Sequence, residues 1–178
     1  MNITFTPLTP THFPLLLKWL LTPHVRMWWD WNVSWTPELI KQKYINYTKG
    51  YKRLILQDQI IEKPIHAYII HHNKIPIGYI QHYNKHDFPP EQGYEVTRLP
   101  DDCAAIDWYI GELEYINKGI GSKSLELFLK LYVFPHFENV FVDPDTANIG
   151  AIKAYENVGF KVLDVAKKDN ITLMLKKR

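Results

Sequence analysis

The sequence predicts an α/β fold around a mixed sheet, antiparallel in its N-terminal part and parallel around a strand–helix–strand unit in the middle. Two β-rich runs, 65–72 and 75–83, are separated only by Asn73-Lys74, which is typical of an antiparallel hairpin. In the second half, strands alternate with helices, which favours parallel pairing of strand 104–111 with strand 140–142. We expect helices to flank this sheet.

Composition excludes several classes of protein. The 178 residues, of which 46% are apolar and 22% charged, suit a single domain over 1–178. A net charge of +2 argues against a dedicated nucleic-acid binder, and the single Cys103 excludes a disulfide framework. No apolar run approaches the roughly 18 residues of a membrane span, and the first ten residues lack a signal-peptide layout. We therefore expect a cytoplasmic monomer or homodimer with no nucleic-acid or membrane partner.

The first half is expected to begin with a strand and two helices. The elements are a strand over 2–6, a helix from Thr9-Pro10 through Leu21 that ends before Pro23, and a helix from Thr36-Pro37-Glu38 to about Tyr47. Threonine followed by proline is a typical helix start. Residues 84–103 then form a polar stretch of a length typical of functional or disordered loops.

The second half alternates regularly. Its predicted elements are a strand over 104–111, a helix from Gly119 to about Val133, a strand over 140–142, a helix from Ala147 to Val158, and strands over 160–166 and 171–176. In the first of these helices, Leu125, Phe128, Leu129 and Tyr132 fall at i, i+3, i+4 and i+7. Gly159 ends the second helix.

A glycine-containing turn, Asn117–Ser122, lies between a strand and a helix. Its two glycines let the backbone approach a ligand, and the helix that follows offers unpaired N–H groups and a positive dipole end. Lys118 and Lys123 flank the turn. We interpret it as an anion cradle suited to a pyrophosphate; the alternative is a helix start that binds nothing. The spacing fits neither a P-loop nor a dinucleotide-binding fingerprint.

Asn148 and Tyr155 are seven residues apart and therefore share one face of the last helix. A carboxamide and a phenol placed this way can reach the same narrow channel. The alternatives are that Asn148 only caps its helix and that Tyr155 is a core tyrosine with a satisfied hydroxyl.

Together these segments resemble the GNAT superfamily of acyl-CoA-dependent N-acetyltransferases. Lys118–Ser122 is similar to its pyrophosphate-binding turn, and Asn148–Phe160 to its last helix and the strand that follows. The resemblance implies a GNAT fold in which strands 104–111 and 140–143 splay apart around the pantetheine arm of acetyl-CoA, the co-substrate. The implied cofactor-binding residues are Ile110, Lys118, Gly119, Ile120, Gly121, Ser122, Asn148 and Tyr155.

Within the superfamily, the chain looks most like the aminoglycoside 6′-N-acetyltransferases. The residues that carry this match are His24–Trp29, Ile106-Asp107 and Val142–Pro144. Siderophore-lysine acyltransferases share much of the early His/Trp segment and are the close rival. One departure is Ile116, where the superfamily usually has Arg or Gln; it removes one polar contact to the cofactor and leaves the backbone donors.

Acetyl transfer to an amine needs a base, because an alkyl ammonium has a pKa near about 10. We assign the base to Asp107, which lies within an otherwise apolar strand; the alternative is a carboxylate paired with a buried partner such as Arg98. Asp143 is read as an anchor for the substrate ammonium or as the alternative base, and otherwise as a turn residue before Pro144. Glu112 and Glu114 are weaker candidates and are expected to be solvated.

The resemblance also implies two further roles. A backbone N–H near Ile110, freed by a local bulge, would polarise the thioester carbonyl. Tyr155 would protonate the leaving thiolate. Because a free thiol has a pKa of about 8.5, this proton helps only modestly.

Local charge and aromatic residues favour a cationic acceptor. Residues 87–114 have a net charge of −7, which leaves +9 for the rest of the chain. Trp28 and Trp29, with Trp31, are expected either to wall the acceptor site or to belong to the core. His71 and His72 point to opposite strand faces and cannot share a metal, and no metal site is expected. The predicted acceptor is an aminoglycoside 6′-amine; alternatives are a siderophore-type lysine, a polyamine, or a CoA-binding sensor without turnover.

Overall fold

Seven strands form one mixed sheet in the computed structural model, which describes residues 2–56, 59–88, 99–166 and 170–178. In chain order, the nine strands of the described residues, seven in this sheet and two in a separate hairpin, are β1 (Ile3–Pro7), β2 (Tyr51–Leu56), β3 (Gln59–Pro64), β4 (His66–His72), β5 (Ile75–Asn84), β6 (Cys103–Ile110), β7 (Asn139–Val142), β8 (Lys161–Ala166) and β9 (Ile171–Lys177). The sheet order is β1-β4-β5-β6-β7-β9-β8, and β2 pairs with β3 separately. The mixed α/β architecture expected from the sequence is confirmed.

Five α-helices lie in the described ranges. They are α1 (Phe13–Leu20), α2 (Pro23–Arg26), α3 (Pro37–Tyr44), α4 (Ile120–Phe128) and α5 (Ile149–Asn157). The first predicted helix is split, with a 3-10 turn over Pro10–His12 before α1. Pro14 has no N–H to donate to the carbonyl of Pro10, so an α-helical turn cannot bridge this point. The helix ends before Pro23 as predicted, and Pro23 begins α2, a short helix that the sequence analysis did not predict.

The chain forms two compact units, and the first consists of residues 1–81 and 108–116. In this unit α1 packs against α3, and its buried side chains include Leu16, Trp19 and Ile40. The turn between β4 and β5 has positive φ at both Asn73 and Lys74, as a two-residue hairpin turn requires. The hairpin predicted from the sequence is therefore confirmed.

The second unit consists of residues 82–107 and 117–178. Strand β9 pairs antiparallel with both β7 and β8, and α4 packs against α5. The predicted helix through about Val133 is confirmed, although its last turn, Leu129–Val133, is a π-helix. One domain over 1–178 stays a prediction.

Part of the polar stretch 84–103 is described. A 3-10 turn covers Lys85–Asp87, and β6 begins at Cys103. Glu91, Glu95 and Arg98, which entered the sequence argument, lie outside the described residues. No helix in the described ranges is long and apolar enough to cross a membrane.

Candidate active site

The two parallel strands in the middle of the sheet separate soon after they begin. The ladder between β6 and β7 joins Cys103 to Asn139 and ends with Ala105 opposite Phe141. Asp107 lies two residues after Ala105 in β6, and Asp143 is the first residue after β7, so both carboxylates follow the last paired residues of the two strands.

Both carboxylates are half-buried, as residues of a cleft would be. Arg98, the alternative partner of Asp107, lies outside the described residues. The turn after Asp143 is anchored to β9, since the Thr172 N–H donates to the carbonyl of Pro144 at 2.9 Å. The end of β7 is thus fixed by backbone bonds, which holds Asp143 at the point where the strands diverge.

Glu112 was expected to be solvated, but its side chain is only 21% exposed and its carboxylate is paired, so that expectation is wrong. Its carboxylate accepts hydrogen bonds from Lys18 Nζ at 2.6 Å and from Trp19 Nε1 at 2.8 Å. The Lys18 bond holds the pKa of Glu112 below its usual value, and the Trp19 bond acts in the same direction. Gly111 permits this contact, because a Cβ there would overlap the Trp19 indole. Glu112 therefore has a structural role; Glu114 is exposed as expected.

The glycine turn leads directly into α4. Gly119 is the N-cap of this helix with φ of +71°, and Asn117 has φ of +58°. Only Gly119 of the two turn glycines needs the left-handed region; Gly121 lies within the first helical turn. The first N–H group at this end that donates a helical hydrogen bond is that of Lys123, to the carbonyl of Gly119 at 3.2 Å. The N–H groups of residues 120–122 therefore lack helical acceptors and face outward from the helix start.

The last helix begins with a side-chain cap. Asn148 Oδ1 accepts a hydrogen bond from the Ala151 N–H at 3.1 Å, so the capping alternative is realised. Its Nδ2 group is not used by the cap. Tyr155 is buried, with 7% of its surface exposed, and its ring meets Phe160 at 5.3 Å between centroids. A role for either residue toward a cofactor stays a prediction.

The three tryptophans of the early segment divide between core and surface. Trp29 packs edge-on against Tyr109 at 4.9 Å and Tyr79 at 6.0 Å between ring centroids. Trp28 and Trp31 are exposed, by 41% and 73%. A role of these tryptophans as walls of the acceptor site stays a prediction. The burial-raised pKa of Tyr109 keeps its hydroxyl protonated, and in the described part of the chain that hydroxyl has no hydrogen-bond partner.

The end of β6 carries the irregularity expected near Ile110. The N–H groups of Gly111 and Glu112 both donate to the carbonyl of Ile77, at 2.8 and 3.2 Å. Two consecutive residues thus lie opposite one residue of β5, as in a β-bulge. His24 Nε2 lies 3.1 Å from the carbonyl oxygen of Ile110 and ties α2 to this backbone. Sequence reasoning quoted His24 only as part of a motif and missed this contact. The oxyanion role of Ile110 stays a prediction.

A family model described as an acetyltransferase (GNAT) domain matches residues 9–167. The chain belongs to the GNAT acetyltransferases. The fold expected from the resemblance and the assignment to the N-acetyltransferases are both confirmed. In the described part of this GNAT chain, no group of three or more His, Cys, Asp or Glu side chains is placed to hold a metal ion.

Several relatives of this GNAT chain carry informative names. The aminoglycoside N(6′)-acetyltransferases type 1 of Klebsiella pneumoniae and Serratia marcescens are each 24% identical over 163 residues, which cover 90% of this chain and 74% of theirs. A structure of AAC(6′)-Ib with ribostamycin and coenzyme A has a TM-score of 0.82 at 22% identity, covering 100% of this chain and 94% of that chain. Another AAC(6′)-Ib structure, with a TM-score of 0.81 and 22% identity, contains acetyl-CoA and covers 100% of this chain and 94% of that one. At this identity the structures show a shared fold.

Proposed function

We propose that the chain transfers an acetyl group from acetyl-CoA to a primary amine of a cationic small molecule, the 6′-amine of an aminoglycoside. The observation that carries this proposal is that the half-buried Asp107 and Asp143 both come just after the last paired residues of the β6–β7 pair. A cationic amine needs both an anion to hold it and a base to neutralise it, and we assign these two roles to the two carboxylates.

The cofactor assignment rests on the start of α4. The outward N–H groups of Ile120, Gly121 and Ser122 and the positive end of the helix suit a pyrophosphate, and Lys118 adds an exposed positive charge. Gly119 keeps this surface bare, because nothing lies within 4 Å of where a Cβ would be. When bound, acetyl-CoA supplies an acyl group activated as a thioester. The AAC(6′)-Ib complexes with coenzyme A support the same assignment.

The proposed reaction begins with a proton transfer. Asp143 holds the acceptor ammonium, and Asp107 takes one proton from it, either directly or through a water molecule. The neutral amine nitrogen then forms a bond to the carbonyl carbon while the carbon–sulfur bond breaks. The Ile110 N–H donates to the carbonyl oxygen as negative charge develops on it.

The leaving group is the thiolate of CoA. Tyr155 donates its phenolic proton to the sulfur. The acetylated nitrogen then loses its remaining extra proton, which returns to the Tyr155 phenolate through water, and Asp107 releases its own proton to solvent. Asn148 Nδ2 donates a hydrogen bond to the pantetheine arm. Most of the rate enhancement comes from holding the amine against the thioester, since proximity alone supplies several kcal/mol.

An aminoglycoside acceptor is supported by charge and by aromatic surface. Asp101, Asp102 and Glu114 are exposed carboxylates of the acidic stretch, and they attract a polycation. The exposed indole of Trp28 offers a face to sugar rings and ammonium groups. The names of the relatives point to the same acceptor class.

The test is thiol release from acetyl-CoA with kanamycin, spermidine and a lysine derivative as acceptors. We expect release with kanamycin and much slower release with the other two. Release only with spermidine or lysine would replace the acceptor and retain the chemistry. Tight acetyl-CoA binding without thiol release would indicate a sensor.

We further propose that the protein is a cytoplasmic enzyme that confers resistance to aminoglycosides. Its expression should therefore raise the kanamycin concentration needed to stop bacterial growth.

A further inference from the structure

The ammonium of Lys43 is enclosed by a carboxylate and two aromatic rings. Its Nζ lies 2.6 Å from Asp30 Oδ2, 5.2 Å from the ring centroid of Trp35 and 5.6 Å from that of Tyr44. We call Asp30, Trp35 and Tyr44 the ammonium cage. A carboxylate with aromatic faces is the combination that binds alkyl ammonium groups in proteins, through a charged hydrogen bond and cation–π attraction.

The aromatic residues of the ammonium cage are held in place by the protein core. Trp35 and Tyr44 are buried, at 7% and 0% exposure, so the rings are fixed by the core. Asp30 has φ of +47°, which is uncommon for a residue with a side chain. In the described ranges, the Nε1 donor of Trp35 has no hydrogen-bond partner, although it is buried.

Lys43 is partly exposed to solvent. Its side chain is 31% exposed and that of Asp30 is 25% exposed, so the lysine has a path into solvent. Two cavities, of about 300 and 330 Å³, share Lys43 and Gln42 as walls, and the smaller one is also lined by Trp35. These volumes lie at the small end of ligand pockets. A swing of Lys43 would open the cage to the cavity beside Trp35.

We propose that the ammonium cage is a binding site for an ammonium group of the polycationic acceptor, and that Lys43 is an internal competitor that leaves when the acceptor enters. This inference rests on the proposed function. The cage suits a molecule that carries a primary ammonium, which would take the place of the Lys43 Nζ between the carboxylate and the rings.

The test is the equilibrium binding of kanamycin, measured by calorimetry at low salt. This measurement does not require turnover. Lys43→Met removes the competitor and leaves Asp30 unpaired, so the Kd for kanamycin should fall about tenfold. Asp30→Asn removes the carboxylate and should raise the Kd about tenfold. Lys41→Met removes the same charge from an exposed position of the same helix and is the matched control.

Lys43→Arg, which keeps the charge and the competition, should bind kanamycin as the unsubstituted protein does and should show that the position tolerates change. Equal Kd values for Lys43→Met and Lys41→Met would overturn the proposal, as would an unchanged Kd for Asp30→Asn in a folded protein. If Lys43→Met binds kanamycin more tightly but the protein releases no thiol from acetyl-CoA, only the proposed function is wrong. If kanamycin causes thiol release but neither Lys43→Met nor Asp30→Asn changes its Kd, only the proposal of the ammonium cage is wrong.

Discussion

Asp107 carries the proton transfer in the proposed chemistry. Asp107→Asn preserves its size and removes its basicity, so kcat should fall about 10²–10⁴-fold while the KM for acetyl-CoA stays unchanged. Steady-state kinetics of thiol release measures both. Asp143→Asn is the companion variant, and its main effect should be a higher KM for the amine. If Asp143→Asn instead causes the larger loss in kcat, the two roles are exchanged.

Tyr155 makes a smaller contribution. Tyr155→Phe keeps the ring packed against Phe160 and removes only the hydroxyl, so stability should change little. We expect kcat to fall about tenfold, because the thiolate of CoA leaves readily without help at neutral pH. Complete loss of activity in a folded variant would show that protonation of sulfur limits the rate, against this account.

Single residues were the hardest features to predict from the sequence. Periodicity placed Asp107 in a strand, but it could not distinguish exposed Trp28 from packed Trp29, because both follow a helix in an irregular segment. Glu112 was expected in solvent, since nothing local indicates that Lys18, 94 residues away, bonds to it. Long-range partners of polar side chains depend on tertiary packing, which one sequence does not encode in any local pattern.

At the scale of elements, the start of α4 makes the most specific prediction. Gly119→Ala places a Cβ in open space with φ of +71°, so its cost in stability is backbone strain of about 1 kcal/mol. Gly50→Ala is a matched control, with φ of +86° and open space around its Cβ. The melting temperature should fall by a similar amount in both variants, about 2–4 °C. Only Gly119→Ala should also weaken acetyl-CoA binding, by about tenfold.

Calorimetric binding of acetyl-CoA and thermal melts separate the two effects. Equal affinity in both glycine variants would contradict the placement of the pyrophosphate at this turn. A lower affinity in both would mean that strain alone spreads to the cofactor site.

Regular elements were predicted well where one face is buried. The helix with Leu125 and Phe128 on its apolar face was found, because 3.6-residue spacing is visible when that face meets a core. The β2–β3 hairpin was missed. Strand β3 has no buried residue, so its sequence lacks the alternation by which strands are recognised. Ile55 and Ile60, which face each other across this hairpin, are exposed by 76% and 67%.

At the scale of the whole molecule, stability should depend on the ionisation of Glu112. Its pKa in the folded protein is lowered from 4.5 by Lys18 and Trp19, so its contribution is complete above that value and is lost as the pH falls through the lower folded pKa. Glu112→Gln should lower the melting temperature by about 2 °C at pH 7. Melts between pH 7 and 3 should show this difference disappearing at the acid end; a difference that persists at pH 3 would contradict the ionic origin.

Thiol release from acetyl-CoA in the presence of kanamycin tests the central claim most directly. Cys103 does not interfere with the assay, because burial raises the pKa of this sole thiol to about 12. The account predicts rapid release that depends on both kanamycin and Asp107, with product acetylated at the 6′-amine by mass spectrometry and NMR. Release that is equally fast in Asp107→Asn, or no release with any amine despite acetyl-CoA binding, would contradict it.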